Sequence, residues 1–145
     1  STNKFDFHKK SVLLSLGGDL NKAKFLETAK ILVNLGYNIF ATETTAEFLQ
    51  KQNIKCVIVR KAYQDSPNVL DIIESKTVAF VVNLSKTDDG AIRRSLTDGF
   101  RVRRATVDNQ IPLFTDLHLA RAFIKALDRY KLEDLEIKSY KEYLN

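Results

Sequence analysis

The stretch Phe40-Ala41-Thr42-Glu43-Thr44-Thr45-Ala46 passes within a few residues from an apolar run, 38–41, into hydroxyl-bearing and then helix-forming sequence. It reads as a strand running directly into a helix N-terminus. There the first backbone N–H groups lack intrahelical partners and the helix dipole presents its positive end, so phosphate or carboxylate is the natural ligand. Thr42, Thr44 and Thr45 each offer a hydroxyl to such an anion. Thr44 also stands three residues before Glu47, the spacing of a capping box, so its plainer reading is a helix cap.

Outward from this turn the chain keeps alternating between the two periods. Residues 11–16 form a short apolar run ended by Gly17-Gly18-Asp19, and 22–35 place Ala23, Leu26, Ala29, Ile31, Leu32 and Val33 at helical spacing, closed by Gly36 as a left-handed cap. Residues 44–52 read as the second helix and 54–59 as the third strand. Ser66-Pro67 reads as N-cap and first position of a short helix ending near Glu74, and 78–84 is a continuous apolar run, as in a buried central strand. Residues 85–96, with Lys86-Thr87-Asp88-Asp89-Gly90, read as a mobile loop. A basic helix over 100–110, a last strand over 111–114 and a helix over 117–130 capped by Thr115-Asp116 follow. The spacing of Ser139 and Glu142 predicts one more short helix in a charged tail.

Strands separated by helices imply an α/β fold, a three-layer, doubly wound, five-stranded parallel sheet, because parallel neighbours need crossover connections. Ligands of such sheets sit at the carboxyl ends of the strands. Residues 17–18, 42–45, 61–66, 83–85 and 115–116 all fall on that rim. Lys22, opening the first helix, reaches across it, and Arg60 and Lys61 follow the third strand; together they make a cationic cup, or else a solvated set of charges.

The 145 residues suit one domain over 11–130, with an N-terminal extension over 1–10 and a tail over 131–145. Apolar residues at 44% and charged residues at 28% are ordinary for a soluble protein, and no apolar run approaches the roughly 20 residues of a membrane span. The lone Cys56, in an apolar strand-like run with no partner for a bridge, fits a small buried thiol and a reducing cytoplasm. A net charge of +5 admits anionic ligands, but the arginine helix (Arg101, Arg103, Arg104) lacks interleaved aromatics and is flanked by Asp98 and Asp108, which argues against nucleic acid. His8 and His118 are far apart and no metal-ligand spacing, catalytic triad or phosphate-loop motif is present.

Four further pieces carry a resemblance: Leu35-Gly36-Tyr37, the threonine turn itself, Val82-Asn83-Leu84, and Val102-Arg103-Arg104-Ala105-Thr106-Val107-Asp108 with Ile111-Pro112-Leu113. With these, residues 11–130 resemble the methylglyoxal synthase-like domain that closes the carbamoyl phosphate synthetase large chain as its allosteric domain. The resemblance implies strand order 3-2-1-4-5 and an effector phosphate held by Lys22, Thr42, Thr45 and Lys61, with Asn83 beside them and Thr44, Arg60 and Ser85 as supporting positions. It implies a uridine or inosine nucleotide as effector, since the chain lacks the Trp of relatives that take other ligands. It also implies partners: synthase domains of a longer chain and a glutaminase, the whole being an ATP- and magnesium-dependent carbamoyl-phosphate synthase of the pyrimidine and arginine pathways. No cofactor and no catalytic residue is expected in this domain. The alternative is a lyase of the methylglyoxal synthase type, which needs carboxylates to move protons. Ser66 stands where that enzyme has one catalytic Asp and Leu84-Ser85 where it has another, so the rim reads as lacking paired carboxylates.

Overall fold

A computed structural model of the chain describes residues 5–85 and 92–144, with side chains at 5–85 and 98–130. The elements run β1 (Ser11–Leu16), α1 (Asp19–Asn34), β2 (Asn38–Thr42), α2 (Glu43–Lys51), β3 (Val57–Val59), α3 (Val69–Glu74), β4 (Val78–Leu84), α4 (Ile92–Asp108), β5 (Leu113–Phe114) and α5 (Leu117–Leu144). All neighbouring strands are parallel, in the order β3-β2-β1-β4-β5. This is the doubly wound sheet expected from the alternation, in the order the resemblance implied.

The period of two along β1 sorts its side chains between two cores. Val12, Leu14 and Leu16 join Phe25, Leu32, Ala46, Leu49, Phe80 and Ile124 on the side covered by α1, α2 and α5. Leu13 joins Val81, Ile73, Val102 and Ile111 on the side covered by α3 and α4. Helices thus change sides between the β1–β2 half and the β4–β5 half, and the crevice at that switch, at the carboxyl ends of β1 and β4, is where such sheets open to ligands. No helix among the described residues is long and apolar enough to cross a membrane.

Several boundaries moved for identifiable reasons. Gly36 takes φ 88 as the left-handed cap it was read to be, and Asp116 Oδ1 accepts from Leu119 N–H at 2.9 Å to open α5. The short helix α3, however, starts two residues after Pro67. Arg60 forms a parallel bridge with Asn68, Arg60 N–H donating to Pro67 O and Val69 N–H to Arg60 O, so Pro67 lies in an extended segment continuing β3. Asn68 is the N-cap, in a reciprocal box with Asp71. The Ser66 hydroxyl and the Asn68 N–H hydrogen-bond the Asp71 carboxylate and hold its pKa below the usual range.

The loop read over 85–96 is too long: residues 86–91 lie outside the described ones, and from Ile92 the backbone is helical. The polar run before it masked the helical propensity of Ile92-Arg93-Arg94-Ser95-Leu96. The tail likewise continues α5 unbroken to Leu144, because 131–144 hold no Gly or Pro to stop a helix, and Ser139 falls inside it as no cap at all. Cys56 lies just before the shortened β3 and is half-buried, its Sγ 3.8 Å from Ala46 O, and burial pushes its thiol pKa up.

Candidate functional site

Three strands end side by side at the crevice, and the register decides what they present. Ser15 pairs with Asn83, and Thr42 Oγ1 lies 3.4 Å from Ser15 Oγ, so β2, β1 and β4 contribute one polar row: Thr42, Ser15, Asn83. Two residues earlier, Leu13 and Val81 pair as the apolar row beneath it. The polar row therefore forms the floor of a cleft of about 1250 Å³, whose lining also includes the buried Leu13 and Val81.

Thr42 is the N-cap of α2, with φ −67 and ψ 161, yet its side chain makes no capping bond. Its hydroxyl turns instead toward Ser15 Oγ and toward Thr45 Oγ1 at 3.3 Å, with one proton to give. Pairing of Thr42 with Val59 extends β2 one residue beyond the expected end, and α2 follows without a gap at Glu43, one residue earlier than expected, so Thr44 sits inside the helix. Thr44 is thus no cap; it is exposed and lines the cleft. At α1 the N-cap is Gly18, which has no side chain to cap with and adopts φ 83, ψ 149, a backbone conformation essentially restricted to glycine. Two helix N-termini without side-chain caps therefore open on the same cleft, each with first-turn amides for an anion.

Of the cations anticipated, Lys22 lines the cleft from the first turn of α1 and is 7% exposed, and Lys61 lines it as an exposed residue after β3. Arg60 does not line it; its guanidinium Nη1 donates to Ser66 O at 3.1 Å and ties the following loop. Asn83 and Ser85 both line the cleft from the end of β4. Thr45 sits behind the wall: it is fully buried and its Oγ1 accepts from Leu16 N–H at 2.9 Å, fastening α2 to the end of β1. Replacing Thr45 with valine leaves that buried N–H unpaired, and should cost about 1–3 kcal/mol of stability. Urea denaturation of Thr45→Val beside Thr45→Ser, which keeps the hydroxyl, measures this; equal stabilities would show that the hydroxyl is not the fastening.

Sequence reasoning missed other members. Ser15 had a signal, a polar residue following Val12-Leu13-Leu14 two positions before the glycine turn. Lys51 and Arg101 add two cations, and Asp19, Glu47 and Asp98 line the cleft as carboxylates at positions other than Ser66 and Leu84-Ser85, on which the rim reads as lacking a catalytic pair. All five come from helices, where a 3.6-residue period decides which positions face the cleft and a turn motif gives no hint. Neither Asp65 nor Ser66 is among the lining residues.

Residues 24–115 match the MGS-like domain family. The carbamoyl phosphate synthase large chain of Methanothrix thermoacetophila is 36% identical over 125 residues, covering 86% of this chain and 11% of that one. The multifunctional protein CAD of Squalus acanthias is 34% identical over 135 residues, 85% of this chain and 6% of its own. The large chain of Thermoplasma volcanium is 33% identical over 132 residues, covering 90% and 12%. The chain thus spans 6–12% of the length of these relatives.

Proposed function

The chain belongs to the MGS-like domain family, and on that premise we propose that it is the regulatory, effector-binding part of a carbamoyl phosphate synthase large chain. Its effector is a phosphorylated nucleotide, of the uridine or inosine type. The observation that carries this reading is the pair of side-chain-uncapped helix N-termini, at Gly18 and Thr42, opening with Lys22 and Lys61 onto one cleft. Such an arrangement suits a dianion: backbone amides, a hydroxyl and two ammonium groups converge, and none of them needs to be moved far. The phosphate occupies the polar row, while the apolar deep end at Leu13, Val69, Val81 and Val102 receives the rest of the ligand. Regulation of the synthase partners then follows from a difference in effector affinity between their active and inactive states, typically about 1–3 kcal/mol of coupling.

Lys61→Ala should weaken uridine monophosphate binding about tenfold to a hundredfold, the loss of one charged hydrogen bond at tenfold per 1.4 kcal/mol. Calorimetry on wild type and variant checks it, with sulfate as competitor. Equal affinities, or tight binding of unphosphorylated uridine, would remove the phosphate cup from the account.

The lyase reading draws on Asp19, Glu47 and Asp98 in the cleft. Turnover of dihydroxyacetone phosphate by the same protein, lost on Asp98→Asn, would establish that reading in place of the regulatory one.

A further inference from the structure

Several large apolar side chains stand exposed on this protein, among them Phe7, Leu20, Phe100, Leu119 and Tyr130. Of the exposed large hydrophobics among the described residues, Tyr63 is the one that lines the cleft, at 45% exposure. Scattered exposed apolar groups are ordinary, but an aromatic side chain that lines a cleft together with Leu13, Val69, Val81 and Val102 can add its ring to the apolar part of that wall.

The turn that carries it is fastened. Lys61 N–H donates to Gln64 Oε1 at 2.8 Å and Gln64 N–H to Lys61 O at 2.9 Å, while Asn68 Nδ2 donates to Gln64 O at 2.9 Å. Arg60 holds the far side through Ser66 O. Ala62, directly before the tyrosine, is 4% exposed and belongs to the core on the α3 and α4 side. The ordering of this segment is therefore complete in the folded chain, and a ligand that uses it meets a preformed wall. The cleft, at about 1250 Å³, also has room for far more than a phosphate.

We infer that Tyr63 is a specificity-determining residue: its ring stacks on the planar base of the ligand, so that the cleft selects a nucleotide over a phosphorylated sugar of the same charge. This rests on the phosphate-cup reading above and adds the part of the ligand that the cup does not see. Aromatic stacking tolerates any base because each has a π-face, so Tyr63 discriminates base from no base, while the edges of the recess discriminate between bases.

Calorimetry of uridine monophosphate, ribose 5-phosphate and inorganic phosphate on wild type, Tyr63→Phe and Tyr63→Ala tests this. Tyr63→Ala should lose roughly tenfold or more for uridine monophosphate and change little for ribose 5-phosphate and phosphate. Tyr63→Phe, which keeps the ring, should retain most of the nucleotide affinity. Uridine monophosphate bound no better than ribose 5-phosphate by wild type, or equal losses for both on Tyr63→Ala, would overturn the stacking role while leaving the cup intact. Failure of all three probes to bind wild type would overturn the cup itself, and the stacking role with it.

Discussion

Lys22→Ala should bind inorganic phosphate and uridine monophosphate about a hundredfold or more weaker than the wild type. Lys22 is in the first turn of α1, its N–H donating to Gly18 O at 3.2 Å, and it lines the cleft at 7% exposure, so an ammonium–anion contact there would meet little competing water. A charged hydrogen bond contributes roughly 1.5–3 kcal/mol, and burial places this one at the upper end, where tenfold per 1.4 kcal/mol gives the stated loss. Lys61, exposed across the cleft, is screened and sits lower in the same range. Lys22→Met keeps the aliphatic stem and removes only the charge, so its affinity separates recognition from packing. Calorimetry at fixed salt gives the number, and phosphate binding by Lys22→Met within threefold of the wild type would take Lys22 out of the site.

Phe80→Ala loses about 3–5 kcal/mol of stability, the usual cost of emptying a buried aromatic site. Phe80 is fully buried in β4, with ring centroids of Phe5, Tyr37, Phe114 and Phe123 at 5.2–6.1 Å, mostly edge-on. These rings come from the N-terminal segment, the α1–β2 turn, β5 and α5, so no single element can shift to refill the space. Against the 5–15 kcal/mol that a domain usually holds in reserve, that loss is large, and the melting temperature should fall by roughly 10–20 °C. Thermal and urea denaturation measure it. A fall under about 1 kcal/mol would mean that the cluster collapses around the gap and that its geometry is not specified by Phe80.

The fold was legible because hydrophobic period and helix stops agree along most of the chain. Val78-Ala79-Phe80-Val81-Val82, unbroken and apolar, reads as a buried strand, and Gly36 fixed the end of α1 through a conformation few other residues adopt. Strand order was not in the period; it came with the resemblance. Boundaries failed where two local signals competed. Ser66-Pro67 read as the helix start, whereas the strand bridge from Arg60 to Asn68, a tertiary fact, holds Pro67 extended and moves the start to the Asn68 cap. Thr44 lost its capping position because α2 begins directly after β2, with Thr42 as its N-cap. The site divided in the same way. Groups on strand-to-helix turns, Thr42, Lys61 and Asn83, could be placed on the rim from sequence, whereas Lys51, Asp98 and Arg101 reach it only through the rotation of helices packed across the sheet.

The polar row of Thr42, Ser15 and Asn83 has one more consequence. Thr42 and Ser15 lie on strands separated by α1 alone, but Asn83 joins them only after α1, β2, α2, β3 and α3 have been laid down, with Ser11 at the start of β1 finding Val78 at the start of β4. No fragment of the sheet holds the row, and a slip of one residue in either pairing would turn a side chain of the row to the opposite core. An anion seated there therefore discriminates the finished sheet from every partly paired or misregistered one, and its binding free energy adds in full to the native state alone. A ligand of that row would by the same geometry be a proofreader of the domain's own strand register.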